Sequence, residues 1–289
     1  MTLGQGTAKR DEIFDAHVHV WPGDRVSDPP IDLPGSPLPD FDGSVEHLLR
    51  LMDANGVGRA LLVQTPWYGE NNNYLIHSIQ MHGDRFAGLG YLPDPLAPRA
   101  PHALRKQFDE EGLRGVRLHL LEPQIVEGVA AGGAAPLLRA ATELRVPVQL
   151  LYRDQNLHGL IGRLARQHPN LTLVIDHLGH VDPNPKSHSG AWESVLGLAK
   201  HPTIYVKVSL HYRLSRDPYP WPDLHPFQQK LLAAFGASRL MWGSNFPMHL
   251  PKPAYAERLS AVAKGLPFLS PEDRAWILGK TARSIWGPK

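Results

Sequence analysis

The sequence alternates short apolar runs with segments whose apolar residues recur at helical spacing. Val45, Leu48 and Met52, for example, would share one face of a helix. Ser44 can cap the start of this helix, and Gly56 follows as a stop signal. Eight of the apolar runs have the length and composition of buried strands: EIFDAHVH, RALLVQTP, RFAGLGYL, RGVRLHLL, VPVQLLY, LTLVIDHLG, TIYVKVSL and SRLMWGSNFP.

Strands that alternate with helices and are apolar on both faces indicate a parallel sheet covered by helices. Eight such strands favour a closed (β/α)8 TIM barrel of the α/β class over an open sheet. We therefore predict one domain over residues 1–289, with residues 1–11 as a flexible N-terminus. A Pro-rich loop from Trp21 follows the first strand, and an extra helix that Ser270 and Pro271 begin closes the chain.

Composition narrows the class of protein. Hydrophobic residues make up 42% and charged residues 20%, which is ordinary for a globular enzyme. A net charge of +2 without a basic cluster does not suggest nucleic acid as a partner. No N-terminal leader pattern and no run of ~18 apolar residues occurs, so we expect a cytoplasmic protein without a membrane partner.

The chain contains no cysteine and 16 histidines. Thiolate ligands and a cysteine nucleophile are therefore excluded, and imidazoles are the main candidates for acid–base chemistry or metal binding. His17 and His19 are two residues apart on the first predicted strand, so they would project from the same face, with Val18 turned away. Such a pair is part of a metal site or of an anion pocket, or two hydrogen-bonded core residues.

Polar residues recur where the predicted strands end, which in a barrel of this kind is the face that carries the active site. The candidates, in chain order, are His17, His19, Arg117, His119, Gln149, Tyr152, Asp176, His177, His180, Lys207, Ser209, Ser244 and Asn245. A single histidine at such a place is more often a satisfied core residue than a ligand. Recurrence on six strands is not what core packing produces, and it predicts a polar pocket.

The predicted pocket is electropositive. Arg117 and Lys207 lie on strands four and seven, and a buried ammonium is costly unless it finds a carboxylate or loses its proton. Few carboxylates accompany them. A small anionic substrate, carboxylated or phosphorylated, is the class that fits.

Five motifs occur in order on the expected strands: DAHVHVW, GVRLHL, VIDHLGH, YVKVS and FGASRLMWGSNFP. In these motifs the chain resembles the amidohydrolase-related (amidohydrolase-2) group of metal-dependent TIM-barrel hydrolases. The resemblance implies that His17, His19 and His177 are metal ligands, or that they contact the substrate. It implies one divalent metal ion, with zinc as the first choice, held weakly or not at all.

The chain departs from the family pattern at two positions. The last motif usually ends in an aspartate that binds metal and serves as general base, whereas this chain has Asn245. Strand five often ends in a histidine, whereas here it supplies Gln149 and Tyr152. An amide cannot take a proton from water at neutral pH and binds zinc less well than a carboxylate does. Both departures weaken the metal site.

The resemblance is nearest to lactone-hydrolysing members of the group. We expect a hydrolase that opens a small carboxylated or sugar-type lactone by water attack. Its catalytic residues would be His177, His180, Lys207 and Asn245. The substrate contacts would be Arg117, His119, Gln149, Tyr152, Ser209 and Trp67. The alternatives are a non-oxidative decarboxylase of an aromatic or unsaturated acid, and a binding protein degraded by the change at Asn245. A homo-oligomer is compatible with the pattern.

Overall fold

A computed structural model describes residues 13 to 287, except residues 25, 27, 34 and 183 to 189. The predicted flexible N-terminus lies outside the described residues. Eight parallel strands form one sheet in the order β1 to β8. Their bounds are β1 Ile13–Val18, β2 Val57–Val63, β3 Phe86–Tyr91, β4 Val116–Leu120, β5 Val148–Tyr152, β6 Leu173–Ile175, β7 Ile204–Val208 and β8 Leu240–Trp242.

Helices surround this sheet. Their bounds are α1 Val45–Ala54, α2 Asn73–His82, α3 Ala100–Asp109, α4 Pro123–Ala130, α5 Ala135–Leu144, α6 His158–Gln167, α7 Ala191–Leu196, α8 His211–Leu214, α9 His225–Phe235, α10 Tyr255–Ala263, α11 Pro271–Ala275 and α12 Thr281–Trp286. The predicted barrel is confirmed. The short helices α4 and α8 were not predicted, and a turn of π-helix, Trp276–Lys280, joins α11 to α12.

Hydrogen bonds between β1 and the segment after β8 close the barrel. The Asn245 amide donates to the His17 carbonyl (2.8 Å), and the His19 amide donates to the Phe246 carbonyl (2.7 Å). Val18 and Phe246 form a parallel bridge between these bonds. The ends of β1 and β8, which carry two of the predicted motifs, are thus held side by side.

Two apolar cores flank the barrel wall. The larger one lies between strands and helices and contains Val18, Leu48 and Leu150. The smaller one includes Phe14, Met241 and further inward-facing strand residues, and Trp286 at the end of α12 packs against it. The C-terminal helix therefore belongs to the barrel's core packing. Over the described residues, no helix combines the length and the apolarity that crossing a membrane requires.

The predicted helix starts are confirmed. The Ser44 hydroxyl accepts from the His47 amide (3.3 Å) at the start of α1, and the Ser270 hydroxyl accepts from the Asp273 amide (3.1 Å) at the start of α11. The Pro-rich loop packs against the β2–α2 connection. There the Trp67 indole donates to the Ser36 carbonyl (2.7 Å), so this side chain is engaged with the loop.

Candidate active site

A β-bulge in β1 turns the two motif histidines into the barrel. Asp15 pairs with Ala60 and Val18 with Leu62, so three steps along β1 face two steps along β2. Bulges of this kind re-aim side chains and are frequent beside active sites. Asp15 points the other way and accepts hydrogen bonds from the Ser244 amide and the Tyr255 hydroxyl, both at 2.8 Å. Burial raises the pKa of Asp15 to about 6, although these hydrogen bonds by themselves would lower it.

His17 and His19 meet through their Nε2 atoms, which lie 3.1 Å apart. The Nδ1 atom of His19 lies 2.7 Å from the Val63 carbonyl oxygen, which is an acceptor only. His19 therefore carries its proton on Nδ1 and presents a lone pair on Nε2. The pKa of His19 is lowered to about 3, first by burial and then by the charge of Arg117, so the ring is neutral.

Asp176 directly follows β6 and lies close to both buried cations, Arg117 and Lys207. Its Oδ2 atom accepts from Arg117 Nε (3.0 Å), from Arg117 Nη2 (2.9 Å) and from Gln149 Nε2 (3.1 Å). Its Oδ1 atom lies 3.4 Å from His17 Nδ1 and 3.8 Å from Lys207 Nζ. Arg117 and Lys207 hold the pKa of Asp176 well below its usual range despite complete burial. Asp176 thus faces both cations that the sequence predicts for the pocket, and its single charge neutralises one of them.

Lys207, on β7, is fully buried inside the barrel. Its ammonium donates to Gln149 Oε1 and lies 3.2 Å from His17 Nδ1. On the other side it lies 5.5 Å from the centre of the Trp286 ring, within the range of a cation–π contact. Burial lowers the pKa of Lys207 to about 7, and Asp176 opposes that shift.

A tight turn, His177–His180, follows β6 and carries two imidazoles. All four residues have positive φ values, which only Gly179 adopts without steric cost. The His177 ring is held by a 2.8 Å hydrogen bond between Nδ1 and the Ser209 hydroxyl, and its centre lies 4.6 Å from that of His17. Burial is the main cause that lowers the pKa of His177 and His180, so both rings are neutral.

The segment after β8 presents Asn245 at the same end of the barrel. Asn245 has a left-handed backbone (φ 58°), and its Nδ2 donates to the Tyr212 hydroxyl (3.0 Å). That hydroxyl donates in turn to the Met248 carbonyl (3.2 Å), so the amide nitrogen faces Tyr212 and Oδ1 is left for other partners. The buried Arg258 guanidinium stacks on Tyr212 (4.5 Å) and donates to the carbonyls of Ser244, Asn245 and Met248.

Unpaired donors surround the polar cluster. The Nε2 atoms of His119 and His180 are buried and have no hydrogen-bond partner among the described residues. Arg153 and Arg213 are exposed and form no ion pair within the described chain. Their charges, with that of Arg117, lower the pKa of His180 to about 4 after the larger effect of burial. This cluster is therefore cationic beyond the charges that Asp176 neutralises.

The family model described as "Amidohydrolase" matches residues 14–287. The chain belongs to this amidohydrolase family. The match covers every strand and confirms the resemblance drawn from the five motifs.

Two curated relatives of this amidohydrolase carry lactonase names. An L-fucono-1,5-lactonase from Burkholderia ambifaria is 28% identical over 81% of this chain and 80% of its own length. A 4-sulfomuconolactone hydrolase from Hydrogenophaga intermedia is 24% identical over 81% of this chain and 74% of its own. Among solved structures, a candidate 2-pyrone-4,6-dicarboxylic acid hydrolase from Pseudomonas putida superposes with a TM-score of 0.79. It is 26% identical, with 95% of this chain and 97% of that chain covered.

A metal ion has a suitable donor set in this amidohydrolase. His17, Asp176 and His177 each offer one ligand atom, and these atoms lie within 4.8 Å of one another. The His19 lone pair lies 3.1 Å from His17 Nε2, close to the roughly 3.3 Å that two nitrogens on one tetrahedral zinc require. The Val63 carbonyl accepts from His19 Nδ1 and so fixes the ring with Nε2 turned towards His17, as a backbone carbonyl often does for a metal-binding imidazole. The residues present therefore fit a divalent ion.

The structure brings most of the predicted site residues together. Those in or beside the cluster around Asp176 are His17, His19, Arg117, His119, Gln149, His177, His180, Lys207, Ser209 and Asn245. Tyr152 is separate: it alternates with the inward Leu151 and packs in the outer core against His158. Trp67 lies in the Pro-rich loop contact described above.

Sequence reasoning missed three side chains that organise the site. Asp176 was noted at the end of strand six, but no role was assigned to it. Tyr212 and Arg258 lie on helices, where nothing in the local pattern marks them. A buried Arg117 with no acidic neighbour in the sequence was the signal that a carboxylate such as Asp176 had to meet it.

Proposed function

We propose that this amidohydrolase is a hydrolase that opens a small anionic lactone. The observation that carries the proposal is the combination of a buried cluster of Arg117, Lys207 and Asp176 with neutral imidazoles and cations that have no ion-pair partner among the described residues. The lactonase names of the relatives in Burkholderia ambifaria and Hydrogenophaga intermedia support the same reaction class.

The anionic group of the substrate would bind to the cations that have no carboxylate partner. Arg117 already engages Asp176 Oδ2 through both Nε and Nη2, so it stabilises the carboxylate and the arrangement of the cluster. Arg153 and Arg213 are exposed and form no ion pair within the described chain, and the charge of each lowers the pKa of His180. A substrate carboxylate or sulfonate that reaches Arg153 and Arg213 gains charge-assisted hydrogen bonds without first breaking an ion pair.

In the proposed reaction, water attacks the ring carbonyl carbon and its proton passes to a neutral imidazole. His177 is the best placed base, because Ser209 fixes its ring and burial keeps it unprotonated at neutral pH. Collapse of the tetrahedral intermediate breaks the bond between the acyl carbon and the ring oxygen, which takes the proton from His177. Asn245 Oδ1 is free to orient the water because Tyr212 holds the amide nitrogen. The products are the new hydroxyl and the carboxylic acid, which releases the second proton of the attacking water to solvent and leaves as a carboxylate.

His17, Asp176 and His177 would hold a divalent metal ion, and zinc is the ion that this nitrogen-rich donor set favours. With the His177 lone pair engaged by the ion, His180, whose buried Nε2 has no partner among the described residues, would serve as the base instead. Such an ion, when bound, polarises a carbonyl and lowers the pKa of water. The neighbouring Lys207 and Arg117 already place two positive charges against Asp176. We therefore propose that the ion is held weakly.

The test measures hydrolysis of a lactone panel that includes aldonolactones, muconolactones and pyrone carboxylates. A pH-stat titration records the acid that each hydrolysis releases. We expect turnover of at least one anionic or sugar lactone, and a loss of roughly 10²–10⁴-fold in kcat for His177→Asn. His168→Asn is the matched control, because His168 lies at the end of α6, away from the cluster, and should retain activity. If the protein releases carbon dioxide from aromatic acids and hydrolyses none of the lactones, the decarboxylase alternative is favoured. Tight binding of lactones without turnover would favour a binding protein.

A further inference from the structure

A second polar pocket lies on the outer, helical surface of the barrel. It is a groove of about 290 Å³ between α6, α7 and the turn Gly197–Lys200. His158, Gly162, Arg166, Glu193, Lys200 and His201 are among the residues that line it. No step of the proposed reaction uses any of them.

Two histidines of the groove are buried without hydrogen-bond partners. His158 is 3% exposed and His201 is 8% exposed. Within the part of the chain that the structure describes, neither ring nitrogen of His158 has a partner, and Nε2 of His201 has none. A buried polar group without a partner costs free energy, so such groups usually mark a ligand, an ion or a water.

Two polar side chains of the groove lie close to Gly162. A Cβ atom at Gly162 would lie 3.4 Å from His201 Nε2 and 3.7 Å from Arg166 Nη1. An imidazole nitrogen and a guanidinium therefore lie beside a residue that has no side chain, with Leu198 Cδ2 at 3.5 Å from the same position. Lys200 is close as well, because its charge and that of Arg166 add to burial in lowering the pKa of His201.

The charge of the groove is positive. Arg166 and Lys200 are exposed and form no ion pair with any described residue, and Glu193 is the one carboxylate among the lining residues. The two cations outweigh that carboxylate, and the two neutral imidazoles add polar atoms without charge. Guanidinium, ammonium and imidazole N–H groups together are the recognition set for phosphate and carboxylate oxygens.

We propose that this groove binds a small phosphate or carboxylate anion and acts as an effector site. Its route to the active site passes through His158. On the far side of that ring, a Cβ at Gly179 would lie 3.6 Å from His158 Nε2 and 3.0 Å from the Tyr152 hydroxyl. Gly179 belongs to the turn that carries His177 and His180. A ligand that moves the His158 ring would therefore shift the turn and the positions of both imidazoles.

The first experiment measures binding of inorganic phosphate to the intact protein by calorimetry, at constant ionic strength and without a lactone. We expect saturable binding that Arg166→Ala and, separately, Lys200→Ala weaken about tenfold, as the loss of one charge-assisted contact predicts. Arg163→Ala is the matched control, because Arg163 is an exposed arginine of α6 that is not among the lining residues. It should bind phosphate like the unmodified protein.

Each outcome decides the proposal. No saturable binding overturns it, and so does binding that all three variants retain, because the phosphate would then occupy the cationic active site. A citrate titration distinguishes a carboxylate ligand from a phosphate ligand. The effector role rests on the proposed function: phosphate should change lactone turnover at least twofold in the unmodified protein and not in Arg166→Ala. If no lactone is hydrolysed, the binding result still stands by itself.

Discussion

At the scale of single residues, the site depends on one carboxylate. Asp176 is the acceptor for Arg117 and faces Lys207, and all three side chains are almost completely removed from water. Breaking a buried ion pair by removing one partner leaves an uncompensated charge, which costs far more than an exposed pair contributes. Asp176 therefore matters for folding as much as for chemistry.

We predict that Asp176→Asn lowers the free energy of unfolding by about 3–5 kcal/mol, because two buried cations lose their counter-ion. Hydrolytic activity should fall with it. Urea denaturation at neutral pH measures the change, and Asp109→Asn on the exposed face of α3 is the control, expected within about 0.5 kcal/mol of the unmodified protein. An Asp176→Asn protein of unchanged stability would show that Arg117 and Lys207 are solvated.

At the scale of elements, two local irregularities aim the catalytic side chains. The bulge in β1 brings His17 into the barrel while Asp15 points outward to Ser244 and Tyr255. The left-handed turn after β6 shortens that strand to Leu173–Ile175 and projects His177 and His180. Both elements were predicted as plain strands, since periodicity alone carries no signal for a bulge or for a run of positive φ values.

We predict that Gly179→Ala damages both stability and activity. A residue with a side chain at φ +67° costs roughly 1–2 kcal/mol, and its Cβ would also lie 3.0 Å from the Tyr152 hydroxyl and 3.2 Å from Val195. Gly112→Ala is the matched control, because its φ is +70° and nothing lies within 4 Å of the added carbon. Thermal unfolding and kcat for both variants separate backbone strain from displacement of the turn. Equal losses of activity would contradict the positioning role of the turn.

At the scale of the whole molecule, many imidazoles are buried in their neutral form. Outside the active site, burial lowers the pKa of His158 and of His211 from 6.5 to about 4. The unfolded chain then binds more protons than the folded one between those values. Stability is therefore highest above about pH 6.5 and is lost as the pH falls through 6.5 towards 4.

We predict that the urea midpoint falls between pH 7.5 and pH 5, and that His211→Gln reduces this fall. Glutamine keeps a polar group near Gln228 Nε2, which lies 2.7 Å from His211 Nε2, but cannot be protonated. His102→Gln, an exposed position on α3, should leave the pH dependence unchanged. A His211→Gln protein with the same acid sensitivity as the unmodified one would refute the assignment to this imidazole.

Local amino-acid pattern was enough to predict the eight strands, the helical layer and the end of the barrel at which polar residues gather. Apolar periodicity and turn residues act over a few positions, and parallel strands necessarily end on one side, so these features need no knowledge of distant contacts. The same reasoning placed His17, His19, His177 and Lys207 in one pocket.

The pairing of the buried groups depends on contacts between distant parts of the chain. Arg117 and Asp176 are 59 positions apart, and Lys207 and His17 are 190 apart, so nothing local indicates that they meet. The outward position of Tyr152, the hold of Tyr212 on Asn245 and the two unpartnered histidines of the outer groove likewise follow from packing. The sequence pattern predicts the face on which a residue lies. The partner of that residue and its charge state depend on burial and on contacts with distant parts of the chain.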